Sequence, residues 1–448
     1  MIVVMRRSVS RYVLALEYPE FRTMWLGVMA AQAAAWALIV ARGWLVFDMT
    51  GSSMAVGTVT FAAMAPMFFM PPIAGVLADK WDRRGLLAGS YAINLFQNLV
   101  LALLAATGVI AEWHVVVLAV INGVARATQQ STSQALAANL VPSDRLLSAL
   151  SLNAATQHAS RLIGPGLAAP LLGFLGAPAA FLLCTGLYAI GWWQIMRIRT
   201  RATGGVRAGE SFFHSFTQGL RYAWSQPLIR MVLGLVIFHC GLTMAFESLL
   251  PNFAAQQFTE PMAPAVSPGG NADTGEAMMG TGNGFNAEAT GFATLMMGVG
   301  AGSLVGSLYV GGILGSLARG RIYLATGLLS GLGQVLLSFA PNIGVALLAA
   351  AIMGASQSAF MTMGQALTQA LAADEFRGRL ASINTFSLGG IMSFMNLANG
   401  FLGTQFPASA ILLVNGMIFV AIMLVSTTFT VPRGVYVRGM PATRADTA

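Results

Sequence analysis

The amino-acid sequence predicts an all-α membrane protein with twelve transmembrane helices. Composition is the first reason, because 56% of the 448 residues are hydrophobic, only 9% are charged, and the mean hydropathy is +0.70. A soluble domain carries about 25% charged residues, so most of this surface is expected to face lipid. Apolar segments of about 20 residues, the length that crosses a bilayer, account for nearly the whole chain.

The spacing of the apolar segments is the second reason. Short polar or glycine-containing loops separate segments that are each long enough to cross the hydrocarbon core as a helix. We predict spans at residues 24–47, 54–78, 86–107, 113–139, 146–173, 177–196, 229–253, 290–314, 322–339, 343–370, 380–403 and 408–429.

The distribution of basic residues is the third reason, because Lys and Arg gather on one side of these spans. With the N-terminus inside, the outer loops contain no Lys or Arg, whereas they hold the acidic residues Glu112, Glu260, Asp273, Glu276 and Glu288. We therefore expect a multi-pass protein of the inner membrane with both termini in the cytoplasm. The first apolar segment is expected to be a retained span rather than a cleaved signal.

Other classes of protein fit the sequence poorly. The net charge of +8 arises from residues that flank the spans, so no nucleic-acid partner is expected. Cys184 and Cys240 lie inside apolar segments and give neither a disulfide framework nor the spacing of metal ligands. The chain has no Walker loop, HExxH or Gly-x-Ser-x-Gly motif, so we expect no enzymatic activity, cofactor or bound metal.

A short motif recurs half a chain apart and indicates two halves. Ser151-Leu152-Asn153 opens the predicted fifth span, and Ser382-Ile383-Asn384 opens the eleventh. Such a parallel repeat predicts two pseudo-symmetric six-helix bundles. The predicted parts are a cytoplasmic segment at 1–21, a first bundle at 22–196, a cytoplasmic linker at 197–228 with a surface helix, a second bundle at 229–430 with a mobile outer loop at 256–289, and a cytoplasmic tail at 431–448.

The loop after the second span carries a motif that runs Gly-Val-Leu-Ala-Asp-Lys-Trp-Asp-Arg-Arg from Gly75. It resembles the signature between spans two and three of the major facilitator superfamily, in the variant with Asp82 that drug, macrolide and enterobactin exporters carry. The resemblance implies the twelve-helix fold of that family, with a substrate site between the halves. It also implies a gating motif at Gly75, Asp79, Arg83 and Arg84, although the two arginines alone would follow from the positive-inside rule.

The fifth span carries Gly164-Pro165-Gly166. This resembles a degraded form of the family's antiporter signature, and members with that signature are typically exporters. Pro165 removes a backbone hydrogen bond and is expected to kink the helix there. A proline in a membrane helix also serves packing alone, so the kink is compatible with either role.

Arg42 and Glu247 lie in the outer part of their predicted spans, where an ionisable residue indicates a functional site. Spans one and seven face each other in the family fold, so we expect the two side chains to approach near the outer gate and offset each other's desolvation. Glu247 is also the best candidate for proton coupling. The alternative is that Arg42 reaches the outer surface and Glu247 stays uncoupled.

Arg126 and Arg161 are predicted to lie mid-membrane, where the first half offers no carboxylate. We expect them to bond backbone carbonyls, Asn122 or Gln157, or to form a cationic site for an acidic group of the substrate. Further candidates are Gln357 as a polar side chain of the substrate cavity and His158 as a secondary proton relay.

The resemblance thus implies a proton-coupled exporter of small organic molecules, drug-like or siderophore-like, that works by alternating access as a monomer in lipid. One alternative is a metal or nutrient importer, since His239, Cys240 and Met244 cluster in the seventh span and soft ligands suit Cu(I). Another is a membrane protein that does not transport.

Overall fold

The computed structural model describes residues 14–142, 145–200, 212–258, 287–311, 316–373 and 376–438. These residues form helices and connecting turns, with no strand among them. Seven helices are long and apolar enough to cross a membrane, or eight if a bent pair counts as one span. The predicted all-α membrane fold is confirmed at this level, and most of the predicted outer loop at 256–289 lies outside the described residues.

Sixteen α-helices are present in the described part of the chain. Their bounds are α1 Pro19–Thr50, α2 Ser53–Met64, α3 Pro66–Lys80, α4 Arg83–Ala106, α5 Glu112–Leu140, α6 Leu146–Arg197, α7 Phe212–Ser225, α8 Pro227–Leu242, α9 Leu250–Phe258, α10 Ala287–Gly311, α11 Ser316–Ser338, α12 Ile343–Leu371, α13 Arg377–Phe386, α14 Met392–Leu402, α15 Ala408–Ser426 and α16 Thr430–Arg438.

Helix ends in the first half follow the local sequence. Helix α1 begins at Pro19, whose missing N–H leaves no hydrogen bond unmade in the first turn of a helix. The helix is capped at its end by Gly51, which has a φ of 62° and donates its N–H to the Phe47 carbonyl. The Asp82 carboxylate caps α4 by accepting the N–H of Gly85 at 3.2 Å. The aspartate that departs from the usual glycine of the motif therefore has a local structural role.

Helix α6 joins the predicted fifth and sixth spans in one run of 52 residues. Its one residue with non-helical dihedrals is Gly176, at φ 76° and ψ −175°, which falls between the two predicted spans. Only glycine adopts such a conformation readily, so the chain turns there. The backbone keeps helical dihedrals through Pro165, further towards the start of α6.

The predicted span at 229–253 is not one continuous helix. Helix α8 stops at Leu242, and the chain resumes a helix only at Leu250. Polar side chains of other helices replace the missing helical hydrogen bonds, as described below. Pro251, the second residue of α9, was a signal in the sequence that a new helix begins there.

The predicted linker helix is present as α7, and it bends by 114° from α8. Its Ala223 is buried with Leu380 and Ile383 of α13. The ring of Tyr222 stacks on Phe376, with centroids 4.1 Å apart and planes 4° apart. Helix α7 therefore packs against the start of α13 through one face.

Glycines on α10 allow it to approach α12 closely. Gly298, Gly302 and Gly306 recur at intervals of four residues and so share one helix face. A methyl group built on Gly302 or Gly306 would collide with the backbone carbonyl of Ala351 or Ala355. This is the small-residue packing by which membrane helices gain dispersion contacts without a hydrophobic driving force.

The substitution Gly302→Leu is expected to lower thermal stability, because the added side chain must push α10 away from α12. Overpacking of this kind costs about 1–3 kcal/mol. The measurement is the midpoint of thermal unfolding of the purified protein in one detergent. Gly186→Leu is the matched control, since nothing lies within 4 Å of the Gly186 position. Equal midpoints for the two variants would contradict this packing.

Candidate functional site

The break at residues 243–249 between α8 and α9 is the centre of the candidate site. A break inside a membrane frees backbone groups that lipid cannot satisfy. Here the side-chain amides of Gln334, Gln357 and Asn399 donate to the carbonyls of Leu242, Thr243 and Ala245 at 3.3, 2.6 and 2.5 Å. The N–H of Ser248 donates to the Asn396 side chain at 3.1 Å.

These four amide side chains, which we call the amide clamp (Gln334, Gln357, Asn396 and Asn399), come from α11, α12 and α14. All four are buried. The Asn399 side chain is itself held, since it accepts a hydrogen bond from Asn415 of α15 at 3.1 Å. The clamp therefore fixes the conformation of the break from three surrounding helices.

Glu247 lies within the break and not on a helix. Its side chain is only 3% exposed, and neither carboxylate oxygen has a hydrogen-bond partner among the described residues. A buried carboxylate without hydrogen bonds is expensive in a membrane and therefore indicates a functional group.

Three arginines of the first half surround this carboxylate electrostatically. Arg161 acts on Glu247 most strongly, followed by Arg126 and then Arg42. None of the three is within ion-pair distance of the Glu247 oxygens in the described structure, because those oxygens have no partner. The positive charges of three arginines thus act on one carboxylate that is distant from them in the chain.

Trp36 of α1 carries two of these arginines on its ring. The Cζ atoms of Arg161 and Arg126 lie 4.5 and 5.7 Å from its ring centroid. Both distances fall within the range of a cation–π interaction, which is stronger where water is excluded. Sequence reasoning missed Trp36, although a tryptophan six residues before Arg42 in an apolar span was a usable signal.

The expected partners of the arginines need correction. Arg42 and Glu247 do act on each other, but they form no ion pair, and Arg126 affects Arg42 more than Glu247 does. Asn122 binds Arg42, at 3.4 Å, and is itself held by Asn94 at 2.8 Å. Arg126 and Arg161 act electrostatically on Glu247 without contacting it, and neither makes the expected hydrogen bond to Asn122 or Gln157.

The remaining polar candidates, Gln357, Gln157 and His158, lie in different environments. Gln357 is fully buried in the amide clamp and does not line a cavity in this structure. Gln157 is exposed, whereas the next residue, His158, forms a hydrogen bond with Ser358 of α12 at 3.4 Å between Nδ1 and Oγ. His158 therefore contacts the second half close to Arg161.

The arginines of the loop motif tie α4 to its neighbours. Arg83 donates to the Asn139 side chain at 2.7 Å and to the Ala135 carbonyl at 3.2 Å, both on α5. Arg84 donates to the Met196 carbonyl near the end of α6 at 2.6 Å. The side chains of Gly75 and Asp79 lie outside the described residues, so their gating role stays a prediction.

Gly164 brings α6 against α1 beside Trp36. A methyl group at Gly164 would lie 2.5 Å from the Ala33 carbonyl and 2.7 Å from the Trp36 Cβ. The adjacent Pro165 is buried in the same helix. This close packing fixes the backbone from which Arg161 projects, one turn earlier.

The histidine of the importer alternative's soft-ligand cluster, His239, takes part in packing. Among the described residues, no group of three or more His, Cys, Asp or Glu side chains is placed to hold a metal ion. His239 bonds Ser330 through Nε2 at 3.0 Å and packs on Phe360 with centroids 4.6 Å apart. It therefore contributes to the core of the second half.

Comparisons with known proteins agree with this geometry. The sequence profile of a family described as "Transmembrane secretion effector" matches residues 13–263. The chain is 23% identical to the multidrug efflux pump Tap of Mycolicibacterium fortuitum over 77% of this chain and 80% of the pump. It is 25% identical to macrolide efflux protein A of Streptococcus pyogenes over 34% of this chain and 38% of that protein.

The nucleoside transporter NupG has a similar solved structure. It superimposes with a TM-score of 0.69 over 91% of this chain and 98% of NupG, at 10% sequence identity. At that identity the likeness establishes the fold and not the substrate.

Gln357→Leu is expected to lower the free energy of unfolding by about 1–3 kcal/mol, because it leaves the Thr243 carbonyl buried without a donor. The measurement is thermal unfolding of the purified variant in detergent. Gln365→Leu, on the same helix but exposed, is the control and should be close to neutral. If both variants matched the wild type, the amide clamp would not be holding the break.

Proposed function

Because the chain belongs to the transmembrane secretion effector family of the major facilitator superfamily, we propose that it exports small organic molecules across the inner membrane by alternating access. The single observation that carries this proposal is a charged, buried site between the two halves, formed by Glu247 and three arginines. The exporter direction is supported by the efflux pumps that resemble the chain.

We further propose the twelve-span arrangement with cytoplasmic termini. Each predicted span has a helical counterpart once α2 is counted with α3, α8 with α9 and α13 with α14, and α6 is divided at Gly176. Helices α5 and α11 have the length of a span, at 29 and 23 residues. These two helices are more polar than the seven long apolar helices. Their polar side chains include Asn122 and Gln334, which form hydrogen bonds with neighbouring helices.

In this arrangement the described conformation is closed on its outer side. Asn252 of α9 donates to the Ser53 hydroxyl of α2 at 2.9 Å. Close to that bond, α2 and α14 pack so tightly that a methyl group on Gly57 would lie 2.9 Å from the Asn396 carbonyl.

Glu247 is the proposed site of proton coupling. Its carboxylate is the one on which the three arginines act. It also lies in the break directly before α9, the helix whose Asn252 bonds Ser53 on the outer side. Changing the charge of Glu247 would change the attraction between the halves, which is the kind of bias that shifts a two-state equilibrium. His158, which contacts both halves, is a second candidate for the proton path.

Everted membrane vesicles test this proposal. We expect wild-type vesicles to accumulate at least one of a panel of dyes, macrolides and catechol siderophores, and to lose the accumulation when the proton gradient is collapsed. Glu247→Gln should abolish gradient-driven accumulation, because its side chain cannot carry a proton. Glu112→Gln, at an exposed helix start, is the control and should accumulate normally.

Two results would contradict the proposal. Gradient-independent accumulation by the wild type would remove proton coupling. Full activity of Glu247→Gln would leave export standing but would move the coupling group elsewhere.

A second variant tests the outer closure. Gly57→Val is expected to separate α2 from α14 and so favour an outward-open state. In an Asn252→Cys background, an impermeant maleimide added from outside should then label Cys at 252 faster than in the parent, while Gly186→Val should leave the rate unchanged. The native Cys184 and Cys240 are buried and give little background. Unchanged labelling in Gly57→Val would show that this contact does not close the path.

A further inference from the structure

Positive charge is in excess at the boundary between the halves. Arg42, Arg126 and Arg161 face the single carboxylate of Glu247, and repulsion between Arg126 and each of the other two is part of their interaction. Charge that is not compensated inside a membrane is costly, so such sites usually pair with a counter-ion or with a ligand.

Two of the arginines keep their hydrogen-bonding capacity free. Arg42 donates to Asn122, whereas Arg126 and Arg161 make no hydrogen bond to any described residue. Both are partly accessible, unlike Arg42, which is 5% exposed. A guanidinium has five N–H donors in a rigid fork that fits a carboxylate in two-point contact.

The ring of Trp36 holds these two guanidinium groups without using their donors. A cation–π contact engages the face of the guanidinium plane, or its charge, and leaves the N–H groups at its edge available. The Trp36 Nε1 atom is buried and also lacks a partner. The geometry is therefore that of a pre-arranged receptor for an anion, with an apolar aromatic surface beside it.

We propose that Arg126 and Arg161, supported by Trp36, bind a carboxylate or similar anionic group of the exported molecule, and that the Glu247 carboxylate competes with that group for the same two arginines. This rests on the proposed export function and narrows it to amphipathic organic acids. When the site is empty, Glu247 is the carboxylate whose charge acts on Arg161, and a bound anionic group would offset that positive charge in its place.

The competition gives a specific expectation for Glu247. Its charged neighbours are Arg42 of α1 and Arg126 and Arg161 of the first half, and His158 lies beside Arg161. Removing the negative charge with Glu247→Gln should therefore strengthen anion binding, although the same substitution is expected to stop proton-driven export.

The test uses a matched pair of fluorescent probes, 7-methoxycoumarin-3-carboxylate and its neutral carboxamide. Binding to the purified full-length protein is measured by fluorescence anisotropy in detergent. The acid should bind about tenfold or more tightly than the amide, since a charge-assisted two-point contact contributes that much. In the double variant Arg126→Gln/Arg161→Gln, the preference should fall to within about twofold.

Two controls separate this effect from loss of folding. Arg230→Gln is the matched arginine variant, because Arg230 also lies over a tryptophan, Trp224, at 5.6 Å but on an exposed corner. It should keep the full preference for the acid. The double variant should bind the neutral carboxamide probe as tightly as the wild type does. A further variant, Trp36→Phe, should bind the acid probe more weakly while keeping the preference for the acid over the amide.

The outcomes are decisive for the anion site. Equal affinity for acid and amide, a preference that survives in the double variant, weaker acid binding in Glu247→Gln, or no acid binding at all would each overturn it. The export proposal fails separately: acid binding without any gradient-driven accumulation in vesicles would leave the anion site and remove the export function. Export of neutral or cationic dyes, with no preference for the acid probe in binding, would leave the export function and remove the anion site.

Discussion

The break in the chain at residues 243–249 is the constraint on which the site depends. A membrane offers no water to satisfy freed backbone groups, so an interruption of this kind exists only where protein side chains replace the lost hydrogen bonds. The amide clamp does so with side chains from three helices. Because the clamp fixes the break, it also fixes where Glu247 stands relative to the arginines of the first half.

Helix packing also sets the position of the arginines. Gly164 lets α6 lie against α1 next to Trp36, and this contact sets the position of Arg161 as closely as the clamp sets that of Glu247. In the proposed arrangement of two halves, the attraction between them would depend on the charge state of this one carboxylate. A transporter that alternates between two arrangements needs such an adjustable contact at the boundary of its halves.

The sequence predicted the helical membrane fold well, because composition, span length and the position of basic residues are properties of local segments. It also singled out Glu247, Arg126 and Arg161 as candidates, since ionisable residues in apolar spans are conspicuous, and their roles stay predictions. It failed where the answer depends on distant segments: the role of Gln357 in holding the break, and the action of Arg126 and Arg161 on a carboxylate far away in the chain. Neither leaves a pattern within its own helix, whereas Pro251 did mark the start of a new helix after the break.

The central claim is that Glu247 is a carboxyl group that gains and loses a proton inside the arginine site. Infrared difference spectroscopy of the protein in lipid, recorded as the pH is lowered across the neutral range, measures this directly. The account predicts a protonated-carboxyl C=O band that appears in the wild type, is absent in Glu247→Gln, and persists in Glu112→Gln. A wild-type spectrum without that band, or one unchanged by Glu247→Gln, would contradict it.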